Sequence, residues 1–440
     1  MDVIENLERK IKNIEEKDKE VNAFIEVYFE EARKRATEIS KKIERGEAGK
    51  LAGLIVAVKN NIAVKGKKLT CASKILENHR ATYNATVVER ILREDGIIIG
   101  STNMDEFACG NTTSTSAFFK TRNPYDLERI PGGSSGGSAV AVALDMCDCA
   151  LGSDTGGSIR CPAAFCGVYG FKPTYGLVSR YGLVDMAMSL DQIGTFGKDL
   201  KTAKILFDVI KGPDEKDPTT VEQFEMKKKM KKKMKGKVGI FKEISLEKDV
   251  EISFKDALRK IEKKFEVVEV SFPYINYFVP IYYLTMAAEF SSAMQRYDGL
   301  RYGVKANRNL EIFESYFDAR GNFGEEVKRR IILGTYITSK EYKEKWYTIT
   351  LKARATVKKE LKKLFEEIDF IVTPTMPCLP WKFDEKLKPI QSYVADVLTV
   401  FANLAGLPAI SVPYEKFIGI QIVGDSFCDE EVFEAASMIK

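Results

Sequence analysis

Two short clusters of glycine and serine constrain this chain more than any other feature. They occupy residues 132–138 (GGSSGGS) and 154–158 (DTGGS), and the apolar stretch AVAVALDMCDCALGS joins them. Glycine permits backbone conformations that other residues avoid and lets a substrate approach the backbone closely. Rigid loops that present serine hydroxyls beside free amide N–H groups provide a nucleophile and an oxyanion hole. The pattern therefore indicates acyl-transfer chemistry.

The single histidine narrows the choice of general base. His79 lies in the polar run ENHR, a pattern typical of a solvated loop, so we do not expect a Ser-His-Asp triad. A lysine can act instead if burial keeps its amine uncharged. Lys59 directly follows the apolar run LIVAV, which predicts a buried strand. The alternative is a strand-end lysine whose amine reaches water, and the local pattern does not decide between them.

Three segments carry a resemblance to a known family: LAGLIVAVKNNI, GGSSGGSA and GSDTGGSIRCPAAFCGVYGFKPTYGLVSRYGL. Together they resemble the amidase signature family, from about residue 20 to the C-terminus. The resemblance implies an α/β fold, an α/β/α sandwich with a central mixed β-sheet. It also implies one amidase domain over residues 1–440, with the helical segment 1–50 packed on it.

The same resemblance assigns roles to individual residues. It implies a Ser–Ser–Lys triad in which Ser158 is the nucleophile, Ser134 relays a proton and Lys59 is the base. The bridging serine of the family follows a cis peptide bond, which here would join Gly133 and Ser134. Ser135 is a close alternative that only the spacing disfavours.

The oxyanion hole implied by the resemblance consists of the backbone N–H groups of Thr155, Gly156 and Gly157, together with that of Ser158. We expect no metal site, because the eight cysteines are scattered without a CxxC motif and only one histidine is present.

Within the family, the chain is most similar to members that hydrolyse glutamine. Those members supply ammonia for converting Glu-tRNA(Gln) to Gln-tRNA(Gln), or Asp-tRNA(Asn) to Asn-tRNA(Asn). The resemblance implies that Arg330 clamps the glutamine α-carboxylate and that Asp396 pairs with the α-ammonium group. It places Tyr302 at the same pocket.

The resemblance also implies a heterotrimer with two partner subunits, termed B and C. The first would bind tRNA and use ATP and Mg²⁺, and the second, which is small, would wrap between the two larger chains. No cofactor is expected on this chain itself, since it contains no GxxxxGK[ST] loop. Two alternatives stay open: a stand-alone amidase of the same fold acting on another amide, and a non-enzymatic scaffold that binds tRNA.

Composition fits a cytoplasmic enzyme of this class. The chain has 440 residues, of which 45% are hydrophobic, and no stretch approaches the ~20 apolar residues of a membrane span. Its charged first residues lack the apolar core of a signal peptide. The lysine-rich tract 226–237 predicts a solvated surface loop, because no aromatic residues interrupt the lysines. Asn60 replaces the usual aspartate of the family and removes a possible ion-pair partner of Lys59.

Overall fold

A computed structural model describes residues 2–221, 234–305, 307, 309–385 and 387–439. Most of the lysine-rich tract 226–237 lies outside the described residues. The strands are β1 (Phe24–Val27), β2 (Ile55–Lys59), β3 (Ile97–Thr102), β4 (Cys149–Asp154), β5 (Tyr169–Lys172), β6 (Gln192–Gly197), β7 (Lys237–Phe241), β8 (Glu266–Val270), β9 (Phe370–Pro374), β10 (Ala409–Glu415) and β11 (Ile418–Gly424).

The α-helices of the described residues surround these strands. They are α1 (Val3–Val21), α2 (Phe29–Glu44), α3 (Thr86–Arg93), α4 (Gly136–Ala143), α5 (Arg160–Cys166), α6 (Leu200–Ile210), α7 (Lys248–Ile261), α8 (Phe278–Ala293), α9 (Ile312–Gly321), α10 (Glu325–Thr338), α11 (Ile349–Glu367), α12 (Pro389–Val394), α13 (Val400–Ala405) and α14 (Asp429–Ser437).

The described strands form one mixed sheet in the order β1-β3-β2-β4-β6-β5-β10-β11-β9-β7-β8. Strand β2 pairs in parallel with β3 and β4. The next strands in spatial order, β4-β6-β5-β10-β11-β9, are joined by antiparallel pairs. Strands β7 and β8 complete the sheet with parallel pairs. The predicted α/β class with a central mixed sheet is confirmed.

Strand β2 illustrates why the sheet is covered on both faces. Val56 and Val58 belong to one apolar cluster, while Ile55 and Ala57 belong to another. Since successive side chains of a strand point to opposite faces, both faces of β2 pack against apolar partners. Lys59 is thus the last residue of a fully buried strand, which the apolar run before it predicts.

The N-terminal segment differs from expectation in one respect. The sequence predicts a helical segment over residues 1–50, but Phe24–Val27 forms strand β1 at the edge of the sheet, antiparallel to β3. The sequence FIEV is rich in strand-favouring residues, and only a short segment separates the flanking helical patterns. Helix α1 packs on the body of the protein through Lys10, whose amine lies 2.8 Å from Asp145 and 2.7 Å from Asp148.

No helix in the described part of the chain is both long enough and apolar enough to cross a membrane.

Candidate active site and amino-acid pocket

Lys59 lies at the carboxyl end of β2 with no solvent exposure. Its Nζ is 2.7 Å from Ser134 Oγ, 2.8 Å from Ser153 Oγ and 3.4 Å from the Ser153 carbonyl oxygen. Asn61 Nδ2 donates to the same Ser153 hydroxyl at 3.0 Å, which fixes that side chain. The lysine amine is therefore held between two serines, one of which was not among the residues predicted from the sequence.

Burial is the dominant influence on this amine. It lowers the pKa of Lys59 to about 7, although the carboxylates of Asp105, Asp154 and Asp191 oppose the shift. A large fraction of Lys59 is thus uncharged at neutral pH. An uncharged amine can accept a proton from the adjacent Ser134 hydroxyl.

The structure distinguishes the two adjacent serines. The Gly133–Ser134 peptide bond is cis, as predicted, and Ser134 is the residue that meets Lys59. The Ser135 hydroxyl points elsewhere and donates to the Ser153 carbonyl at 3.1 Å. Geometry therefore favours Ser134 over Ser135 as the serine next to the lysine.

Ser158 lies in the loop after β4 and is 8% exposed. Its carbonyl accepts a hydrogen bond from the Ser135 amide at 3.2 Å, so the two serine loops are in direct contact. Within the described residues its hydroxyl makes no hydrogen bond, and the predicted bridge from Ser134 to Ser158 is not formed here. Catalytic hydrogen bonds are often long without substrate and shorten only in the bound complex.

Close packing explains the glycines of this loop. A Cβ on Gly156 would lie 2.4 Å from the Tyr282 ring, and one on Gly157 would lie 2.4 Å from Thr399 Oγ1. Gly157 also has a φ of 128°, which strains any other residue. The Gly157 amide donates to Asp154 Oδ1 at 2.9 Å, so it is not free to bind an oxyanion, contrary to the expectation from the sequence.

The remaining amides of the loop leave donors for an oxyanion. Among the described residues, the backbone N–H groups of Thr155, Gly156 and Ser158 donate no hydrogen bond. The correction therefore concerns Gly157 alone, because the carboxylate of Asp154 turns back to cap the loop that follows it.

A buried ion pair that was not predicted from the sequence supports the loop. Arg160 donates to Asp154 at 2.9 and 3.1 Å and to Asn403 Oδ1 at 2.6 Å. Although burial alone would raise the pKa of Asp154, Arg160 holds it well below its usual range. The signal was present in the sequence, since DTGGSIR places an acid and an arginine on either side of Ser158.

Arg330 lines a cavity of about 420 Å³ together with Asn111 and Tyr283. Its Nε donates to Glu326 at 2.9 Å and its Nη1 contacts Met286 Sδ at 3.7 Å. Its other terminal nitrogen, Nη2, has no hydrogen-bond partner among the described residues. Part of a buried guanidinium is thus available to a carboxylate.

Asp396 lies directly behind two residues of this cavity. Asn111 Nδ2 donates to one carboxylate oxygen at 2.9 Å, and the Tyr283 hydroxyl donates to the other at 2.8 Å. Burial raises the pKa of Asp396 to about 6, against the effect of these two donors. The Tyr283 ring centroid also lies 5.6 Å from the Arg330 guanidinium, so one tyrosine contacts both predicted binding residues.

Thr399 connects Asp396 to the loop that carries Ser158. The hydroxyl of Thr399 lies 2.6 Å from the Gly156 carbonyl and 3.0 Å from the Asp396 carbonyl. The acid of the pocket and the oxyanion loop are therefore held in contact by one side chain.

Tyr302 does not join this pocket. It is 44% exposed and lines a separate cavity with His79 and Tyr297, whose rings lie 6.1 and 6.2 Å away. The tyrosine that reaches Asp396 is Tyr283. Sequence reasoning missed it because two tyrosines inside an apolar helix, FVPIYYLTMAAEF, have the pattern of a core.

Within the described residues, the Asn60 side chain makes no hydrogen bond to the Lys59 amine. It donates to the Lys68 carbonyl and the Ser101 hydroxyl, both at 3.0 Å, and accepts from the Thr70 amide at 2.9 Å. The amide that replaces the family aspartate therefore serves a neighbouring loop.

No cluster of three or more histidine, cysteine, aspartate or glutamate residues suited to a metal ion occurs among the residues that the structure describes.

Comparison with known proteins agrees with this geometry. The family model described as Amidase matches residues 5–433. The A subunit of the glutamyl-tRNA(Gln) amidotransferase of Methanothermobacter thermautotrophicus is 48% identical over 95% of this chain and 90% of its own length. The corresponding protein of Methanocaldococcus jannaschii is 47% identical over 98% of both chains.

Solved structures give the same result. The crystal structure of the A subunit of glutamyl-tRNA(Gln) amidotransferase from Thermotoga maritima superposes with a TM-score of 0.80 at 39% identity, over 99% of this chain and 91% of that one. The peptide amidase of Stenotrophomonas maltophilia shares the fold, with a TM-score of 0.80 at 24% identity over 100% of this chain and 93% of its own. The chain belongs to the amidase family.

Proposed function

We propose that this chain is the glutamine-hydrolysing subunit of a tRNA-dependent amidotransferase. The observation that carries the proposal is the placement of two sites side by side. A buried lysine–serine centre suited to amide cleavage is linked through Thr399 and Asp396 to a cavity that is lined by the partly unbonded guanidinium of Arg330. The named relatives, which cover nearly the whole chain, are subunits of such an enzyme.

The chemistry begins at the lysine. Uncharged Lys59 accepts the Ser134 proton while Ser134 takes the proton of Ser158, and the Ser158 oxygen attacks the side-chain amide carbon of glutamine. The loop amides of Thr155, Gly156 and Ser158 donate to the oxyanion that develops. Losing one such donor costs roughly 3–4 kcal/mol of transition-state stabilisation. Ammonia leaves with a proton returned through Ser134, and water then hydrolyses the acyl-enzyme.

The pocket selects an amino acid. A glutamine zwitterion carries one carboxylate and one ammonium group, and Arg330 and Asp396 offer the matching charges. Tyr283 and Asn111 line the cavity and hold the Asp396 carboxylate behind it. The side-chain amide would then extend past Thr399 toward Ser158.

The released ammonia requires an acceptor on another subunit. We assign tRNA binding and the use of ATP and Mg²⁺ to the larger of the two partner subunits, and the small one completes a heterotrimer. The product would be Gln-tRNA(Gln), Asn-tRNA(Asn) or both. Because aminoacyl-tRNA is made and used in the cytoplasm, the enzyme belongs there.

The decisive experiment is a glutaminase assay of the chain with and without its co-expressed partner subunits, followed by amidation of misacylated tRNA. We expect glutamine hydrolysis that depends strongly on the partners. Ser158→Ala should abolish covalent labelling by a glutamine-like electrophile while the chain stays folded. Wild-type labelling of this variant would remove Ser158 from the role of nucleophile.

The rival function is a stand-alone amidase, which the shared fold of the peptide amidase favours. It predicts rapid hydrolysis of another amide by the isolated chain and no response to partner subunits. That outcome would replace the proposed function and leave the lysine–serine chemistry in place.

A further inference from the structure

Asp191 is a buried carboxylate for which the proposed mechanism has no use. It directly precedes strand β6 and is 2% exposed. One of its oxygens lies 2.6 Å from Thr155 Oγ1, and the other accepts from the amides of Met186 and Ala187 at 2.8 and 3.0 Å. The residue therefore ties the oxyanion loop to the segment that leads into β6.

We propose that Asp191 is a positioning residue for the oxyanion hole, acting through the Thr155 hydroxyl on the orientation of the loop amides. This inference rests on the proposed function. It adds a residue that no part of the Ser–Ser–Lys scheme contains.

The geometry explains why the loop needs such a tether. Thr155 is the first residue after β4, and its amide makes no hydrogen bond among the described residues, so the sheet does not fix its peptide plane. One residue further along the loop, the Thr399 hydroxyl donates to the Gly156 carbonyl at 2.6 Å and so fixes that peptide. Asp191 holds the preceding residue through the Thr155 side chain. Donors that are fixed before the reaction stabilise an oxyanion best.

Because Asp191 is charged and influences Lys59, its replacement should change the pH dependence of the rate, which the loss of a purely structural residue would leave unchanged. Burial raises the pKa of Asp191 to about 7. Burial lowers the pKa of Lys59, and the carboxylates of Asp105, Asp154 and Asp191 oppose that shift. Replacing Asp191 by asparagine removes one of these charges. The lysine then loses its proton at lower pH, and the acid limb of the rate profile moves in the same direction.

The chain supplies a matched control in Asp217. That aspartate is also buried, lies 2.6 Å from the Thr219 hydroxyl, and accepts from the amides of Thr219 and Arg180 at 3.0 and 2.8 Å. Like Asp191, it thus bonds to one threonine hydroxyl and two backbone amides, and it also pairs with the Arg180 guanidinium at 3.7 Å. Asp217→Asn and Thr219→Val measure what such bonds contribute to stability alone.

The experiment is steady-state glutamine hydrolysis over a range of pH, with partner subunits present. Thr155→Val should lower kcat roughly 10- to 100-fold with KM changed less than about twofold, while Thr155→Ser keeps most of the activity. Asp191→Asn should lower kcat similarly and shift the acid limb to lower pH by roughly half a pH unit. The variant that combines Thr155→Val with Asp191→Asn should be no slower than the slower of the two single variants, because both substitutions act on the same hydrogen bond. The two control variants should melt earlier but keep wild-type kcat and pH midpoint.

Two results would overturn the inference: wild-type kcat for Thr155→Val, or a double variant whose loss equals the product of the two single losses. Failure of the proposed function would look different, as a wild-type chain that cleaves some other amide in preference to glutamine. Because an oxyanion forms on any amide, the same variants then decide the role of Asp191 on that substrate.

Discussion

The lysine–serine centre and the amino-acid pocket are built in opposite ways. Lys59, Ser134 and Ser153 come from strand ends and one loop within a third of the chain. All three are buried, and both serines hydrogen-bond to the Lys59 amine. The pocket draws Arg330 and Asp396 from distant segments around an open cavity of about 420 Å³. Its charged groups keep hydrogen-bonding capacity that the protein does not use.

This difference separates two tasks. Proton transfer needs a fixed geometry and a low dielectric, which a buried sheet edge provides. Recognition needs charged groups with hydrogen-bonding positions that a substrate can occupy, which an open cavity between helices provides. Variants of the centre should therefore lower kcat, whereas variants of the pocket should raise KM.

The largest effect is expected for Lys59→Met. Methionine fills a similar volume but cannot accept the Ser134 proton, so kcat should fall by about 10³-fold or more. Rapid-quench measurement of glutamate formation checks this. The control is Lys10→Met, another buried lysine that pairs with Asp145 and Asp148; it should lower the melting temperature and leave kcat unchanged. Hydrolysis that survived in Lys59→Met would assign the base elsewhere.

Asp396→Asn should come next. Asparagine has the same shape but no charge, so the pairing with the substrate ammonium group loses about 1.5–3 kcal/mol. That loss corresponds to a KM increase of roughly 10- to 100-fold with a much smaller change in kcat. Substrate-saturation curves separate the two parameters. A variant that lost kcat alone would place Asp396 with the centre and break the comparison.

Arg330→Lys tests the other charge of the pocket. Lysine keeps the charge but loses the planar fork, so KM for glutamine should rise about tenfold. Arg329→Lys is the control, because this neighbour lines the same cavity and pairs with the same Glu326 but is half exposed, whereas Arg330 is buried. Equal effects of the two variants would contradict the clamp.

Local pattern explains how much of the centre could be predicted. The apolar run before Lys59 predicts a buried strand and the glycine-rich loop indicates a serine site, but the choice of Lys59 as base and of Ser134 over Ser135 came from the family resemblance. Ser153 could not be singled out, since a serine at the end of an apolar strand has no distinctive pattern until the sheet brings it to Lys59. The occupied Gly157 amide also depends on how the Asp154 side chain folds back.

The pocket was less accessible to sequence reasoning. Arg330 and Asp396 came from resemblance: Arg330 lines the cavity, and Asp396 lies behind two of its lining residues, Asn111 and Tyr283. Tyr302 was chosen in place of Tyr283. Tyr302 was chosen because the segment GLRYGVK resembles the family at a tyrosine of this pocket, whereas Tyr283 lies in an apolar helix. The hydrogen bond between the Tyr283 hydroxyl and Asp396 becomes visible only once helix α8 is packed against the segment that carries Asp396.

The smallest expected effect is a split in the pH dependence. Lys59 has a lowered pKa of about 7 and works uncharged, so kcat should fall as pH drops through 7. Asp396 has a raised pKa of about 6 and works charged, so KM should rise only as pH drops through 6. Between pH 7 and 6 catalysis therefore declines while substrate binding holds. In Asp396→Asn the KM limb should vanish and the kcat limb should remain, since the two groups belong to different parts of the site. Limbs that moved together in this variant would mean that the centre and the pocket titrate as one unit.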